Sequence, residues 1–357
     1  MERIHSLDVL KLIIACGVVW AHAMLMTNQG GELAYLLGQG LVRTVVPTFA
    51  VVSGFLFYFT LRRGKAQIWL ARLALFYLFW CAIYLPLWWP RPFAAVDLAE
   101  NLFFGPMHLW YMAALMQALC LLMLVEKHAN SAASLRRWLL WTAVPLMLLS
   151  TTIQAFDYFR TLHLTVNAFR NGLFYEYPFA VIGYLVAEKV KRDGLESLPK
   201  ARVLWLVLAG LVVLRLAEAW GTMRVFGVNM VAPPDFPVLL AAFALTLLLV
   251  TLRTTLPKAR VNLAYISMMI YFLHVGFLVV ALYLGFHNIW VLMAIGLGMP
   301  VLAAMVMLGV IRGLSAKFPQ AWGLRLLAGQ FGIGGGEGRI VAASIERKHF
   351  LRDSPVE

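Results

Sequence analysis

From residue 7 onward the chain alternates long apolar runs with short polar intervals. The runs lie near 7–27, 34–60, 66–88, 107–125 and 137–154, then near 171–188, 203–221, 236–252, 262–284 and 288–311. Each is close to the length, about 17–25 residues, that carries an α-helix across a bilayer. The strict apolar–polar alternation of a half-buried strand does not organise them. The pattern therefore predicts ten transmembrane helices. The second run is long and contains Pro47 and Gly54, which predicts a division into two half-helices there. No internal repeat is visible.

Composition strengthens the membrane assignment. Hydrophobic residues make up 62% of the 357, charged residues 13%, and the mean hydropathy is +0.80. A soluble domain carries roughly 45–50% apolar and about 25% charged residues. The expected fold class is an all-α integral membrane protein. Its first segment lacks a small-residue cleavage site, so it is expected to stay as a spanning helix.

Charge then orients the helices. Lys and Arg outnumber Asp and Glu by 30 to 17, a formal charge of +13. Nucleic acid is not needed to explain that excess, because alternate loops carry it. Arg62, Arg63 and Lys65 fall in one such loop, Lys127, Arg136 and Arg137 in the next. Lys189, Lys191, Arg192, Lys200 and Arg202 follow, then Arg253, Lys258 and Arg260. The intervening loops hold Arg91, Arg160, Arg170 and Arg224 against Glu32, Asp97, Glu100, Asp157 and Asp235. The positive-inside bias puts both termini in the cytoplasm. Residues 1–312 form the expected membrane domain, and 313–357 a basic tail with a flexible linker at Gly332–Gly338. Cys16, Cys81 and Cys120 all lie in apolar segments without metal-ligand spacing, so no metal site is expected.

Ionisable groups inside spanning helices are costly and tend to mark function. At about 1.5 Å per residue, His22 lies roughly 9 Å, Arg43 about 13 Å and His274 roughly 15 Å from the outer helix ends. His108 stands at the outer mouth of the fourth helix in GPMHLWYM, and Arg170 and Glu176 open the sixth. Arg215 and Glu218 are neighbours on one face of the seventh. A shared outer depth suggests a water-accessible cavity. Each residue also has a plainer reading. A histidine can simply pack, Arg215 and Glu218 can neutralise each other, and Ser267 can bond its own helix. Trp88, Trp89, Trp110 and Tyr111 fit an interfacial belt.

Several runs resemble a known family when taken in order. Helix 1 reads RIHSLDVLKLIIACGVVWAHA, with Lys11 and His22 separated by ten residues. The second helix ends in FAVVSGFLF, HLWYM occupies 108–112, and the ninth reads AYISMMIYFLH with Ser267, Tyr271 and His274. Together they resemble the membrane-bound acyltransferase-3 family, over roughly residues 3–311. Its members O-acetylate bacterial cell-surface and exported glycans, and those of exopolysaccharide gene sets are nearest in size. The resemblance implies Lys11 and His22 as the basic-residue-plus-histidine motif, with His22 catalytic. The family's pair of arginines near the start of helix 3 is matched only by Arg72, with Trp69 in the partner position.

On that resemblance, the expected activity is transfer of acetyl from cytoplasmic acetyl-CoA to a sugar hydroxyl, in a bacterial inner membrane. Acetyl-CoA would be a co-substrate, with no permanently bound cofactor. Arg62, Arg63, Lys65 and Arg72 would hold its phosphates. His22 would act as general base or as an acetyl-carrying nucleophile. Ser267, Tyr271 and His274 would steady the oxyanion or orient the base, and Arg43 would polarise the carbonyl. His108, Trp110, Arg170, Glu176, Arg215 and Glu218 would bind the glycan acceptor. The competing expectations are a membrane transporter and a non-catalytic subunit of a polysaccharide export machine.

Overall fold

The computed structural model describes residues 4–27, 29, 31–158, 164–228, 237–257, 259 and 261–317. Arg160, Asp235, Lys258, Arg260 and the Gly332–Gly338 linker, on which expectations were placed, lie outside those residues. Among the described residues there are helices and no strands. Each of the ten apolar runs is helical. Eight of the helical stretches are long and apolar enough to cross a membrane, and Pro237–Arg253 is a shorter apolar helix. The protein is an all-α integral membrane protein.

The chain divides into two compact units, one joining Met1–Ala34 with Thr254–Glu357 and the other spanning Tyr35–Arg253. The first unit packs three helices together, α1 (His5–Thr27), α11 (Leu263–Tyr283) and α12 (Ile289–Lys317). The Asn262 side chain accepts from Tyr265 N at 3.3 Å, starting α11, and Asn288 does the same for α12 at Trp290 N, 2.9 Å. Gly296 lets α12 close on the others, because a Cβ there would press on Val19 and Leu278. Trp20 meets Trp290 edge to face, ring centroids 5.5 Å apart.

The second unit begins with α2 (Gly31–Tyr35), whose last residue it holds, and continues through α3 (Val45–Arg62), α4 (Ala66–Trp88) and α5 (Ala95–Phe104). It is completed by α6 (Trp110–His128), α7 (Ala132–Tyr158), α8 (Tyr177–Asp193), α9 (Ala201–Phe226) and α10 (Pro237–Arg253). α3 and α8 are its most closely packed pair. A Cβ on Gly54 would run into the Ala180 carbonyl, and one on Gly183 into the Val51 carbonyl. Small residues at such crossings let backbones approach and gain dispersion where lipid offers no hydrophobic drive. Outward faces are apolar, as on α4, where Ile68, Leu75 and Phe79 are 59%, 68% and 54% exposed. In water such a face would be an aggregation surface. Lipid makes it stable.

The long second run is irregular, but not at the residues that predicted it. Pro47 sits in the first turn of α3, where no intrahelical donor is needed, and Gly54 lies in regular helix at the α8 crossing. The irregularity is upstream. Leu36–Leu41 is a π-helical segment and Val42–Thr44 a 3₁₀ turn. A second π segment, Gly172–Glu176, precedes α8. α5 was not foreseen either; it is a ten-residue amphipathic helix without buried residues, too short to register as a spanning run.

Gly183→Ala is expected to lower the thermal unfolding midpoint in detergent by the cost of overpacking, about 1–3 kcal/mol. Gly210→Ala, where a Cβ meets open space, serves as the control and is expected to leave the midpoint unchanged or slightly raised. Equal midpoints for the two variants would show that the α3–α8 approach is not tight.

Candidate active site

Two histidines 252 residues apart in sequence meet in the first unit. His22 is partly buried on α1 and His274 fully buried on α11. Their rings lie 4.9 Å apart at 61°, with His274 Nε2 and His22 Nδ1 separated by 3.1 Å. The surrounding carbonyls fix the protons. His274 Nδ1 faces Ile270 O at 2.9 Å and Tyr271 O at 2.7 Å, and a carbonyl can only accept. The Nδ1–H of His274 therefore donates inward, and its neutral ring offers a lone pair at Nε2. His22 Nδ1 faces Val18 O at 2.9 Å as well as that lone pair, so it too carries a proton. A neutral His22 then has its basic lone pair on Nε2. This is the arrangement of a base whose tautomer and orientation are set by a second group.

The other predicted residues of this unit have different settings. Tyr271 lies a turn from His274, rings 6.4 Å apart, and stacks edge-on with Phe272. Ser267 is 5% exposed and donates to Ala264 O at 3.0 Å, so its hydroxyl serves its own helix. Lys11 and His22 are separated by just over three whole turns. They share a face of α1 about 16 Å apart along its axis. Lys11 is partly buried.

In the second unit, Arg215 is 1% exposed and bound on three sides. Its Nε donates to Gly40 O at 3.0 Å and Nη2 to Gln39 O at 2.8 Å, while Nη1 pairs with Glu218. Both carbonyls belong to the π segment Leu36–Leu41, where backbone acceptors lack regular α-helical partners. Gly40 permits this contact, since a Cβ would press on Leu216 and Arg215 O. Arg215 thus clamps the irregular stretch that leads into Arg43, which is partly buried on the following 3₁₀ turn. As placed, its guanidinium is committed to the protein rather than presented to an acceptor.

Arg62 is similarly engaged, with Nη1 3.2 Å from Glu126, Nη2 donating to Tyr184 Oη at 3.1 Å, and its guanidinium over the Tyr58 ring. Arg63, Lys65 and Arg72 are exposed. His108 is 3% exposed and packs edge-on against Tyr84 at 4.8 Å, inside the protein rather than at an open mouth. Trp110 and Arg170 are partly buried. Glu176 ends the second π segment and is fully buried. Beside α5, a concavity of about 400 Å³ lined by Arg91, Asp97, Glu100 and Asn101 went unpredicted, because these residues are unremarkable in a polar loop.

A helical membrane domain with an oriented histidine pair has the make-up of a membrane-embedded group-transfer enzyme. The acyltransferase-3 family model, described as an acyltransferase domain, matches residues 4–311, and the chain belongs to that family. No curated protein and no solved structure matches the chain at a significant level.

Arg215→Ala would remove the ion pair with Glu218 and the donors to two π-segment carbonyls. The expected loss is about 3–5 kcal/mol of stability, the range for breaking a buried pair. Arg215→Lys should recover only part of it, because an ammonium cannot span the fork of acceptors. Thermal unfolding in detergent tests this, and full stability in Arg215→Ala would refute the clamp.

Proposed function

We propose that the protein transfers acetyl from acetyl-CoA to a hydroxyl of a sugar in an exported or cell-surface polysaccharide, exopolysaccharide being the leading class. The observation that carries this reading is the hydrogen bond between His274 and His22, which supports His22 Nε2 in the role of base. The sugar oxygen attacks the thioester carbonyl as its proton passes to His22 Nε2. The C–S bond then breaks, and the departing thiolate takes that proton to give CoA thiol. His274 is a positioning residue. It holds the His22 tautomer and accepts from Nδ1–H while the imidazolium is present.

The shared face of Lys11 and His22 suits a donor with a charged head and a long thin arm. Lys11 would meet the phosphates and His22 the thioester. Arg63, Lys65 and Arg72 are exposed cations suited to phosphate, whereas Arg62 would hold its neighbours in place. Arg43 remains the candidate for polarising the carbonyl, with Tyr271 as an oxyanion donor. Trp110 and Arg170 are assigned to the acceptor side; His108 would act there through its packing on Tyr84.

The decisive assay is CoA release and acetyl transfer from acetyl-CoA in membranes that contain the native glycan. His22→Ala is expected to lose about 10²–10⁴-fold in rate, the worth of a general base. His274→Ala should lose less, roughly 5- to 150-fold, from about 1–3 kcal/mol of hydrogen-bond free energy. Equal activity of wild type and His22→Ala would eliminate the transferase mechanism. Equal activity of wild type and His274→Ala would remove only the positioning role.

A further inference from the structure

Glu176 stands apart from every other acidic side chain placed in a spanning stretch. It is 0% exposed, and neither carboxyl oxygen has a hydrogen-bond partner among the described residues. Burying a carboxyl without partners costs several kcal/mol, more if it is charged. Glu218 on α9 has Arg215, and Glu188 on α8 has Arg136 at 3.4 Å. Glu176 is also held in its position by deliberate local structure. Its own N–H bonds back five residues to Asn171 O at 3.1 Å, and the Asn171 side chain accepts from Leu173 N and Phe174 N at 3.0 Å each. Gly172 N donates to Gln117 Oε1 at 3.1 Å, and a Cβ at Gly172 would collide with α6. π segments of this kind often occur at functional sites.

The surroundings define a chemistry. Tyr111 on α6 lies within electrostatic range of Glu176, and its hydroxyl is 3.3 Å from Ser53 Oγ on α3. The π segment that ends at Glu176 packs against both α6 and α3, so oxygen groups from three elements are brought to one region. Ser53 is partly exposed, Tyr111 is 9% exposed and Glu176 0%. Aromatic faces stand beside these groups. Phe49 packs on Tyr111 at 5.7 Å, and Trp110 lies 6.2 Å from Tyr175. Oxygen groups that can donate and accept, flanked by aromatic rings, fit a hydroxyl on an otherwise apolar sugar face.

We infer that Glu176, Tyr111 and Ser53 form a hydroxyl-binding subsite for the sugar acceptor, with Glu176 as the deep hydrogen-bonding group. This rests on the acetyl-transfer reading and deepens it, adding Tyr111 and Ser53 to the residues that choose the acceptor. The subsite discriminates between acceptors because the buried Glu176 carboxyl goes unsatisfied when the ligand lacks the matching hydroxyl.

The test uses the full-length protein in native membranes lacking the chromosomal copy, with radiolabelled acetyl-CoA as the probe. The readout is the fraction of released acetyl that reaches polysaccharide rather than water, together with the thermal midpoint of each purified variant. Glu176→Leu is expected to cut that fraction about tenfold or more, while its midpoint holds or rises because an unsatisfied polar group has been replaced by an apolar one of similar size. Glu176→Gln keeps a donor and an acceptor and is expected to stay within about threefold of wild type. Tyr111→Phe and Ser53→Ala should each lower the fraction several-fold, and they decide the matter if Glu176→Leu fails to accumulate. A wild-type fraction in Glu176→Leu, or in both other variants, overturns the subsite. Wild-type membranes that release no CoA overturn the acetyl-transfer reading itself and the subsite with it.

Discussion

A polar group inside a bilayer has no water to fall back on, and the whole arrangement of this chain follows from that constraint. Backbone groups meet it by staying helical, which is why every apolar run is a helix. Hydroxyls meet it by bonding the preceding turn, as Thr48 does with Thr44 O at 2.7 Å and Ser267 with Ala264 O. Where the helix departs from regular geometry, a side chain from elsewhere must supply what the backbone has lost. Arg215 does so for Leu36–Leu41, and Asn171 with Gln117 for the segment ending at Glu176. Both π-helical segments among the described residues are therefore supported, and they lead to a polar side chain of interest, Arg43 in one case and Glu176 in the other.

The two histidines obey the same constraint with a different result. His274 spends one nitrogen on carbonyls of its own helix and the other on His22. His22 spends its Nδ1 on Val18 O and on His274. The protons can be ordered in only one neutral way, and that order directs the basic nitrogen of His22 away from its support. A pair of packing histidines needs no such direction. A transport pathway would also accommodate buried histidines, but family membership over residues 4–311 supplies the chemistry that the pair alone does not.

Much of this was legible in the sequence, and the exceptions have physical causes. Helices that cross a bilayer declare themselves by length and hydropathy, so the apolar runs were readable as helices, although eight stretches among the described residues, not ten, are long and apolar enough to span. The irregularity of the second run was expected from Pro47 and Gly54 but falls at 36–44. Proline in a first turn disturbs nothing, and the true cause is a side chain 175 residues away reaching Gly40. Arg215 and Arg62 were read as ligand-binding groups; helical spacing offered Glu218 as a partner for Arg215, but it could not show the carbonyls of Gln39 and Gly40 or the Tyr184 and Glu126 contacts of Arg62. The meeting of His22 with His274 was suggested only by motif order; spacing has no means of bringing α1 beside α11. Ser53 and Tyr111 lie in runs that carry the family resemblance, FAVVSGFLF and HLWYM, but neither was singled out, since a serine and an interfacial tyrosine are ordinary in such helices.

Partner accounting also separates the roles of the acidic and basic groups more sharply than depth does. Depth along a helix groups His22, Arg43, Glu176, Arg215 and His274 together. Hydrogen bonding divides them into a clamp, Arg215; a support, His274; a histidine held at its Nδ1, His22; and a carboxyl without a hydrogen-bond partner among the described residues, Glu176. Natural selection does not maintain a buried unsatisfied carboxyl for stability, because an apolar side chain of the same size would be more stable there. A fold that builds a π turn, an asparagine cap and a glutamine contact to hold such a group is trading stability for something the group must touch.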